Sequence, residues 1–316
     1  MSRRPARTDP AASPDPFVSR RDVLRAGVAA VAAVLVPGAL DACLRPGPDQ
    51  SRLTAWSEDV RTRGLARSDT PTGRAAARVG ELAGGTPYVP GTLDAYLREG
   101  RRPTEPEPLT LSLTRFDCVT LVESCLAVAR AAGDPAPPTW ERFGTAIERM
   151  RYRGGRRRGY ASRLHYFSEW ISDGESRGLV RSLGGELGGV ADERPLRFMT
   201  AHRSSYPALA DAAVVDEIAA IERRLDARPR MVIPTKRIPQ VVNRIETGDV
   251  IAFATEIAGL DVTHSAFAYR DRAGTLRVLH APLSGGSVEV TRATLPEYVA
   301  VIRRATGILV ARPLWA

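Results

Sequence analysis

Three residues of this chain have the types and order needed for nucleophilic chemistry. Cys118 lies in Arg115-Phe116-Asp117-Cys118-Val119-Thr120-Leu121-Val122-Glu123, where an irregular approach turns into an apolar helix. A thiol in the first turn of a helix meets the positive end of the macrodipole and unpaired backbone N–H groups. Both favour thiolate, the attacking form, over thiol. Asp117 is a good N-cap type and places Cys118 in that first turn. Far downstream, two histidines fall on strand-like segments: His264 in Asp261-Val262-Thr263-His264-Ser265-Ala266-Phe267 and His280 in Leu279-His280-Ala281. One thiol, one base and one orienting group are the parts of a cysteine-hydrolase site. The chain has no Cys pair or His-Glu-x-x-His spacing that would ligate zinc, so neither a metal nor another cofactor is expected.

The other cysteines sharpen that reading. There are three in all, Cys43, Cys118 and Cys125. Cys118 and Cys125 are seven residues apart on one expected helix, about 10.5 Å along its axis, beyond the reach of a disulfide. Cys125, on the apolar face, reads as a buried and inert thiol.

The N-terminus reads as a targeting segment over residues 1–42. Ser19-Arg20-Arg21-Asp22-Val23-Leu24-Arg25 resembles a twin-arginine export motif, followed by an apolar stretch from Ala26 to Leu40 that is too short and alanine-rich for a membrane span. Leu40-Asp41-Ala42-Cys43 resembles a lipobox, in which Cys43 would be lipidated after cleavage. Asp41 departs from that pattern, so cleavage without lipidation stays open. Export places the protein in the periplasm or cell envelope, with membrane attachment only through a lipid on Cys43. The formal charge is +9; the six Arg and four Asp of residues 1–42 account for +2 of it, leaving +7. A positive exported protein suits an anionic polymer such as the cell wall better than nucleic acid. Oligomeric state is not legible.

Residues 43–51 read as a tether and 52–316 as a single catalytic domain with helical insertions. Helical spacing predicts helices over about 52–63, 71–84, 118–132, 138–153, 164–177 and 211–228. From residue 230 the pattern changes to short strands at 231–233, 250–253, 264–269, 276–280, 288–290 and 308–310, separated by Gly and Asp turns as in an antiparallel meander. Helices carrying the thiol first and strands carrying the histidines second predict an α+β fold. Arg151, Arg153, Arg156, Arg157 and Arg158 cluster in one irregular stretch, which reads as a solvated loop or as a contact for an anionic polymer.

Three segments in order resemble the NlpC-type superfamily of papain-like cysteine hydrolases that cut peptidoglycan. They are Gly85-Thr86-Pro87-Tyr88 followed by Phe116-Asp117-Cys118; Gly248-Asp249-Val250-Ile251-Ala252-Phe253 followed by Thr263-His264-Ser265-Ala266-Phe267-Ala268-Tyr269; and Leu279-His280-Ala281. Phe116 to Glu123 departs from the superfamily's common Asp-Cys-Ser-Gly pattern. Together with Ser162-Arg163-Leu164-His165-Tyr166-Phe167-Ser168-Glu169-Trp170, it is closer to an N-acetylmuramoyl-L-alanine amidase-like branch.

The resemblance implies a papain-like fold whose Cys helix packs on the sheet that carries the histidines. It makes Cys118 the nucleophile, His264 the base and His280 the residue that orients it. Tyr88 would help hold the oxyanion with the backbone N–H of Cys118, and Asp117 would support the helix end, although a long loop between Tyr88 and Cys118 could displace Tyr88. The implied substrate is peptidoglycan or its fragments, cut between N-acetylmuramic acid and L-alanine. A γ-D-glutamyl-diaminopimelate endopeptidase of the same fold is the alternative, ahead of a non-catalytic wall-binding lipoprotein and a general protein peptidase. Arg163, for a substrate carboxylate, and His165 and Tyr166 are the substrate-binding candidates. Tyr166 and Trp170, four apart on one expected helix face, read equally as core, and His202 reads as exposed.

Overall fold

The computed structural model describes residues 47–282 and 286–315. The expected targeting segment, Cys43 and the first part of the tether lie outside the described residues. Helix α1 (Pro48–Thr62) begins inside the expected tether. Pro48 sits in its first turn, where a missing N–H costs nothing, and Leu53, Trp56 and Val60 bury one face. Helices α2 (Thr72–Leu82), α3 (Cys118–Gly133), α4 (Trp140–Arg151), α5 (Phe167–Ser176), α6 (Ala212–Asp226) and α7 (Leu295–Val301) follow. The reading of the sequence did not anticipate α7. It opens with a capping box in which Thr294 and Glu297 satisfy each other's backbone N–H groups.

Eight strands form an antiparallel sheet among the described residues: β1 (Val180–Ser182), β2 (Val190–Asp192), β3 (Arg230–Pro234), β4 (Val250–Thr255), β5 (Val262–Arg270), β6 (Leu276–His280), β7 (Glu289–Val290) and β8 (Ala305–Pro313). The order is β2-β3-β8-β4-β5-β6-β7, and β1 also pairs with β8. Strands β1 and β2 have three residues each, too few for a period-two signal. The fold is α+β and papain-like, as expected.

Alternation along the central strands feeds two cores. Val250, Ala252, Phe267, Leu279 and Leu309 face α2 and α3, while Ile251, Phe253, Ala266, Val278 and Ile308 face Leu295 and Val299 of α7. A third core, built on Tyr160, Tyr166, Leu209 and Ile218, lies under α6. Because α5 begins only at Phe167, Tyr166 belongs to this third core and Trp170 to the first; the two do not share a helix face.

Helix α3 is held by a buried ion pair. Arg151 Nε donates to Glu123 Oε2 at 2.7 Å, with side chains 3% and 1% exposed, and a second guanidinium N–H reaches Thr110 O at 2.7 Å. At the N-terminal end of α2 the backbone closes tightly on the turn before β4. Gly248 has φ +88°, and a Cβ there would fall 1.8 Å from Gly73 O. The Gly248-Asp249 turn that leads into β4 is therefore also a packing contact.

Removing Glu123 leaves a buried guanidinium unpaired, so Glu123→Ala is expected to cost about 3–5 kcal/mol. Urea unfolding followed by circular dichroism measures this, and a loss below about 1 kcal/mol would show that the pair does not hold the helix.

Candidate active site

The local sequence fixes the thiol at the mouth of α3. Asp117 Oδ1 accepts the Thr120 N–H at 2.8 Å, while the Asp117 N–H donates to Thr120 Oγ1 at 2.8 Å. This reciprocal cap starts the helix one residue after Asp117 and leaves Cys118 as its first residue. The cap takes the Thr120 N–H and leaves the Cys118 N–H free of any hydrogen bond among the described residues.

Across from the helix end stands the start of β5. The Cys118 thiol lies near Ser265, the residue after His264, whose backbone and side chain act on its ionisation; the Ser265 hydroxyl itself is buried without a hydrogen-bond partner. His264 itself pairs with Phe253 across the β4–β5 ladder, beside a register shift, and stacks on that ring at 5.6 Å. The β5–β6 ladder runs through Phe267↔Leu279, which sets His280 diagonal to His264 on one sheet face with the small Ala266 between them. The two rings meet there: His264 Nε2 and His280 Nδ1 are 2.8 Å apart, with ring planes at 76°. His264 Nδ1 is buried and has no partner. Thus His264 and His280 meet near the start of β5, and the Cys118 thiol lies by the neighbouring Ser265, with no hydrogen bond to either imidazole among the described residues.

Burial works against one expectation. The thiol is pushed up to about 11, first by burial and then by the neighbouring Asp117 carboxylate, against the lowering effect of Ser265. Cys118 therefore rests as a thiol, not a thiolate. Desolvation and the neighbouring Asp117 both act against the helix dipole here. Burial, followed by the proximity of His280, brings His264 down to about 3, and burial brings His280 down to about 4. All three groups are uncharged at neutral pH.

Tyr88 stays at the site despite the long loop after it. It bridges in parallel to Phe116, and its backbone N–H donates to Gly286 O at 2.9 Å. Burial, then Cys118 and Asp117, raises its phenol to about 12, so it is a proton-bearing donor whose hydroxyl has no partner among the described residues. Two further groups had no signal in the linear sequence. Tyr298, from α7, brings its hydroxyl 3.4 Å from His280 Nδ1, and Glu289, opposite His280 on β7, places Oε1 3.7 Å from His280 Nε2. Only the strand register and the packing of α7 bring them there.

The expected substrate-binding residues are committed elsewhere. Arg163 is 6% exposed and spends its guanidinium on Asp94 at 2.5 Å and Glu107 at 3.6 Å. His165 Nε2 lies 2.9 Å from Tyr160 O, and burial followed by Arg163 depresses the ring's basicity. Tyr166 donates to Glu222 at 2.6 Å. All three precede α5 instead of lying on it, and each stabilises the join with the third core. Cys125 is fully buried, and desolvation raises its thiol. His202 is exposed, with Nδ1 2.9 Å from Phe198 O. In the arginine stretch, Arg151, Arg153 and Arg157 pair with Glu123, Glu169 and Glu148, so much of its charge serves the fold. Among the described residues no group of His, Cys, Asp and Glu is arranged to hold a metal ion, and no helix is long and apolar enough to cross a membrane.

Residues 78–308, which include all of these site residues, match the family model described as N-acetylmuramoyl-L-alanine amidase-like. The chain belongs to that family. A structure of an N-acetylmuramoyl-L-alanine amidase from Bacteroides uniformis is 29% identical, with a TM-score of 0.70, covering 77% of this chain and 99% of its own. A Bacteroides fragilis protein named as a candidate xylanase is 31% identical, with a TM-score of 0.66, covering 74% and 98%. A Legionella pneumophila protein shares the fold at 18% identity and a TM-score of 0.60, covering 84% and 94%. No curated protein matches the chain in sequence. Glycosidases generally work with two facing carboxylates; the pair that meets at the end of β5 in this chain is two imidazoles.

With thiol and imidazole both neutral at rest, alkylation of Cys118 by iodoacetamide should rise about tenfold per pH unit from pH 6 to 9, read by peptide mass spectrometry. A rate flat across that range would reveal a resting thiolate–imidazolium pair.

Proposed function

We propose that the protein is an exported cell-wall cysteine amidase that cleaves the amide between N-acetylmuramic acid and L-alanine through an acyl-enzyme. The observation that carries this reading is the His264–His280 pair, with Nδ1 of His264 unpartnered near the start of β5, where the Cys118 thiol lies by Ser265. Family membership supports the bond, since the matched model and the Bacteroides uniformis structure are both named for it. The twin-arginine-like segment supports export, and Cys43 offers a site for a lipid anchor.

In this mechanism Cys118 turns from Ser265 toward His264 as substrate enters. Sulfur attacks the lactyl carbonyl carbon while its proton passes to His264 Nδ1, so charge is created only during attack. The oxyanion is held by the free Cys118 N–H and the Tyr88 hydroxyl. His280 Nδ1 accepts the Nε2–H of His264 and stabilises the imidazolium. His264 then gives its proton to the departing L-alanine nitrogen. Water, deprotonated by His264, attacks the thioester, releases the muramyl carboxylate and restores the thiol. No step requires a cofactor.

The test is digestion of muropeptides by the mature protein with product masses read by liquid chromatography. Free stem peptide is expected, and Cys118→Ala or His264→Ala should lower turnover by at least about a thousandfold. Release of a dipeptide would move the reaction to the γ-D-glutamyl-diaminopimelate bond. No cleavage of any muropeptide would overturn the enzymatic reading.

A further inference from the structure

A base at His264 Nδ1 requires one particular arrangement of protons across the histidine pair. With both rings neutral, a single hydrogen lies between His264 Nε2 and His280 Nδ1 at 2.8 Å. If it belongs to His280, His264 carries its own hydrogen on Nδ1, and that nitrogen cannot accept one from sulfur. If it belongs to His264, Nδ1 is a free lone pair, and His280 must carry its hydrogen on Nε2. Activity therefore depends on what surrounds the far side of His280.

One group there selects that arrangement, and a second lies beside the pair without choosing. Tyr298 Oη is 3.4 Å from His280 Nδ1 and keeps its proton, but a hydroxyl can donate to that nitrogen or accept from it. Glu289 lies directly opposite His280 in the β6–β7 pairing, with Oε1 3.7 Å from Nε2. His280 Nε2 is buried and has no hydrogen-bond partner as it stands. Glu289 is 58% exposed along its side chain, so its rotamer has room to close the remaining few tenths of an ångström.

We propose that Glu289 is a positioning residue for the reaction: its carboxylate takes the Nε2–H of His280 and so fixes the proton order that leaves His264 Nδ1 as the base. This rests on the hydrolase reading above. The sequence of donors is His264 Nε2–H to His280 Nδ1, then His280 Nε2–H to Glu289. The groups facing His280 are thus His264 from β5, Glu289 from β7 and Tyr298 from α7, with the Cys118 thiol beyond them. As Cys118 passes its proton to His264, positive charge appears on the pair, and the carboxylate stabilises it across His280. Without Glu289 the imidazolium is less favoured, so turnover falls and the acid limb of the pH profile moves to lower pH.

The experiment has two arms. In the first, the imidazole nitrogens of the Cys118→Ala protein are followed by nitrogen NMR, with and without Glu289→Leu. The Nε2–H form of His280 is expected with Glu289 present and a mixture of the two forms without it. In the second, muropeptide turnover is measured for Glu289→Gln, Glu289→Leu and the distant exposed Glu256→Gln. Glu289→Leu should lose about tenfold in kcat with KM within twofold, Glu289→Gln should lose less, and both should shift the acid limb downward. Glu256→Gln should do neither. An unchanged proton order together with unchanged kcat and pH profile would overturn the proposal. A Glu289-dependent proton order in a protein that cleaves no muropeptide would sink the hydrolase reading while leaving the positioning role intact.

Discussion

The 2.8 Å hydrogen bond between His264 Nε2 and His280 Nδ1 decides which nitrogen of His264 is free to take a proton, and the surrounding fold is arranged to make that bond. An imidazole in water exchanges freely between its two neutral forms. Here the rings are 4% and 2% exposed, so each proton must be matched to an acceptor inside the protein. The match comes from the diagonal placement of His264 and His280 across β5 and β6, with alanine at the intervening position. A one-residue slip in that hairpin would send one ring to the opposite face and destroy the pair. Sheet register, more than any local propensity, is therefore what the chemistry requires.

Against this neutral pair stands a neutral thiol, which sets two contributions at the helix end against each other. The first turn of α3 presents N–H groups and the positive end of the dipole, both favouring thiolate. Burial and the Asp117 carboxylate oppose them and prevail. The residue that caps the helix so well is the one that discourages its neighbour from ionising. A Cys–His site arranged in this way must move its proton in the attacking step, which makes the stability of the transient imidazolium the controlling quantity. That puts the weight of catalysis on whatever lies behind His264.

Much of this was legible in the linear sequence. The Cys118 helix, its Asp117 cap and the strands bearing His264 and His280 follow from periodicity and capping chemistry, and their bounds moved by only a few residues in the structure. Failures cluster where tertiary pairing overrides type. Arg163 has the chemistry of a carboxylate receptor, but Asp94 and Glu107, both remote in sequence, occupy it. Tyr166 and Trp170 share a spacing that a helix would make a face, yet the helix starts between them. Tyr298 and Glu289 were invisible because one depends on the docking of α7 and the other on a two-residue strand. The sequence shows the dipole and the cap at Cys118 but not the burial that works against them.

The protonated resting state has a consequence for a protein proposed to work outside the cytoplasm. Oxidants and disulfides react with thiolate, and the thiolate fraction falls tenfold for each pH unit by which the thiol's pKa is raised. Cys118 and Cys125 are both free among the described residues, and both are raised. Cys125 is protected permanently by full burial. In the proposed mechanism Cys118 cannot be, because substrate must reach it, so its protection has to be conditional: neutral until His264 takes the proton. A site with a preformed ion pair would attack faster on encounter but would also be oxidised more readily in an oxidising compartment. On the proposed mechanism, the same desolvation that raises the barrier to forming thiolate preserves the nucleophile, and the histidine pair supplies the route past that barrier when an amide is in place.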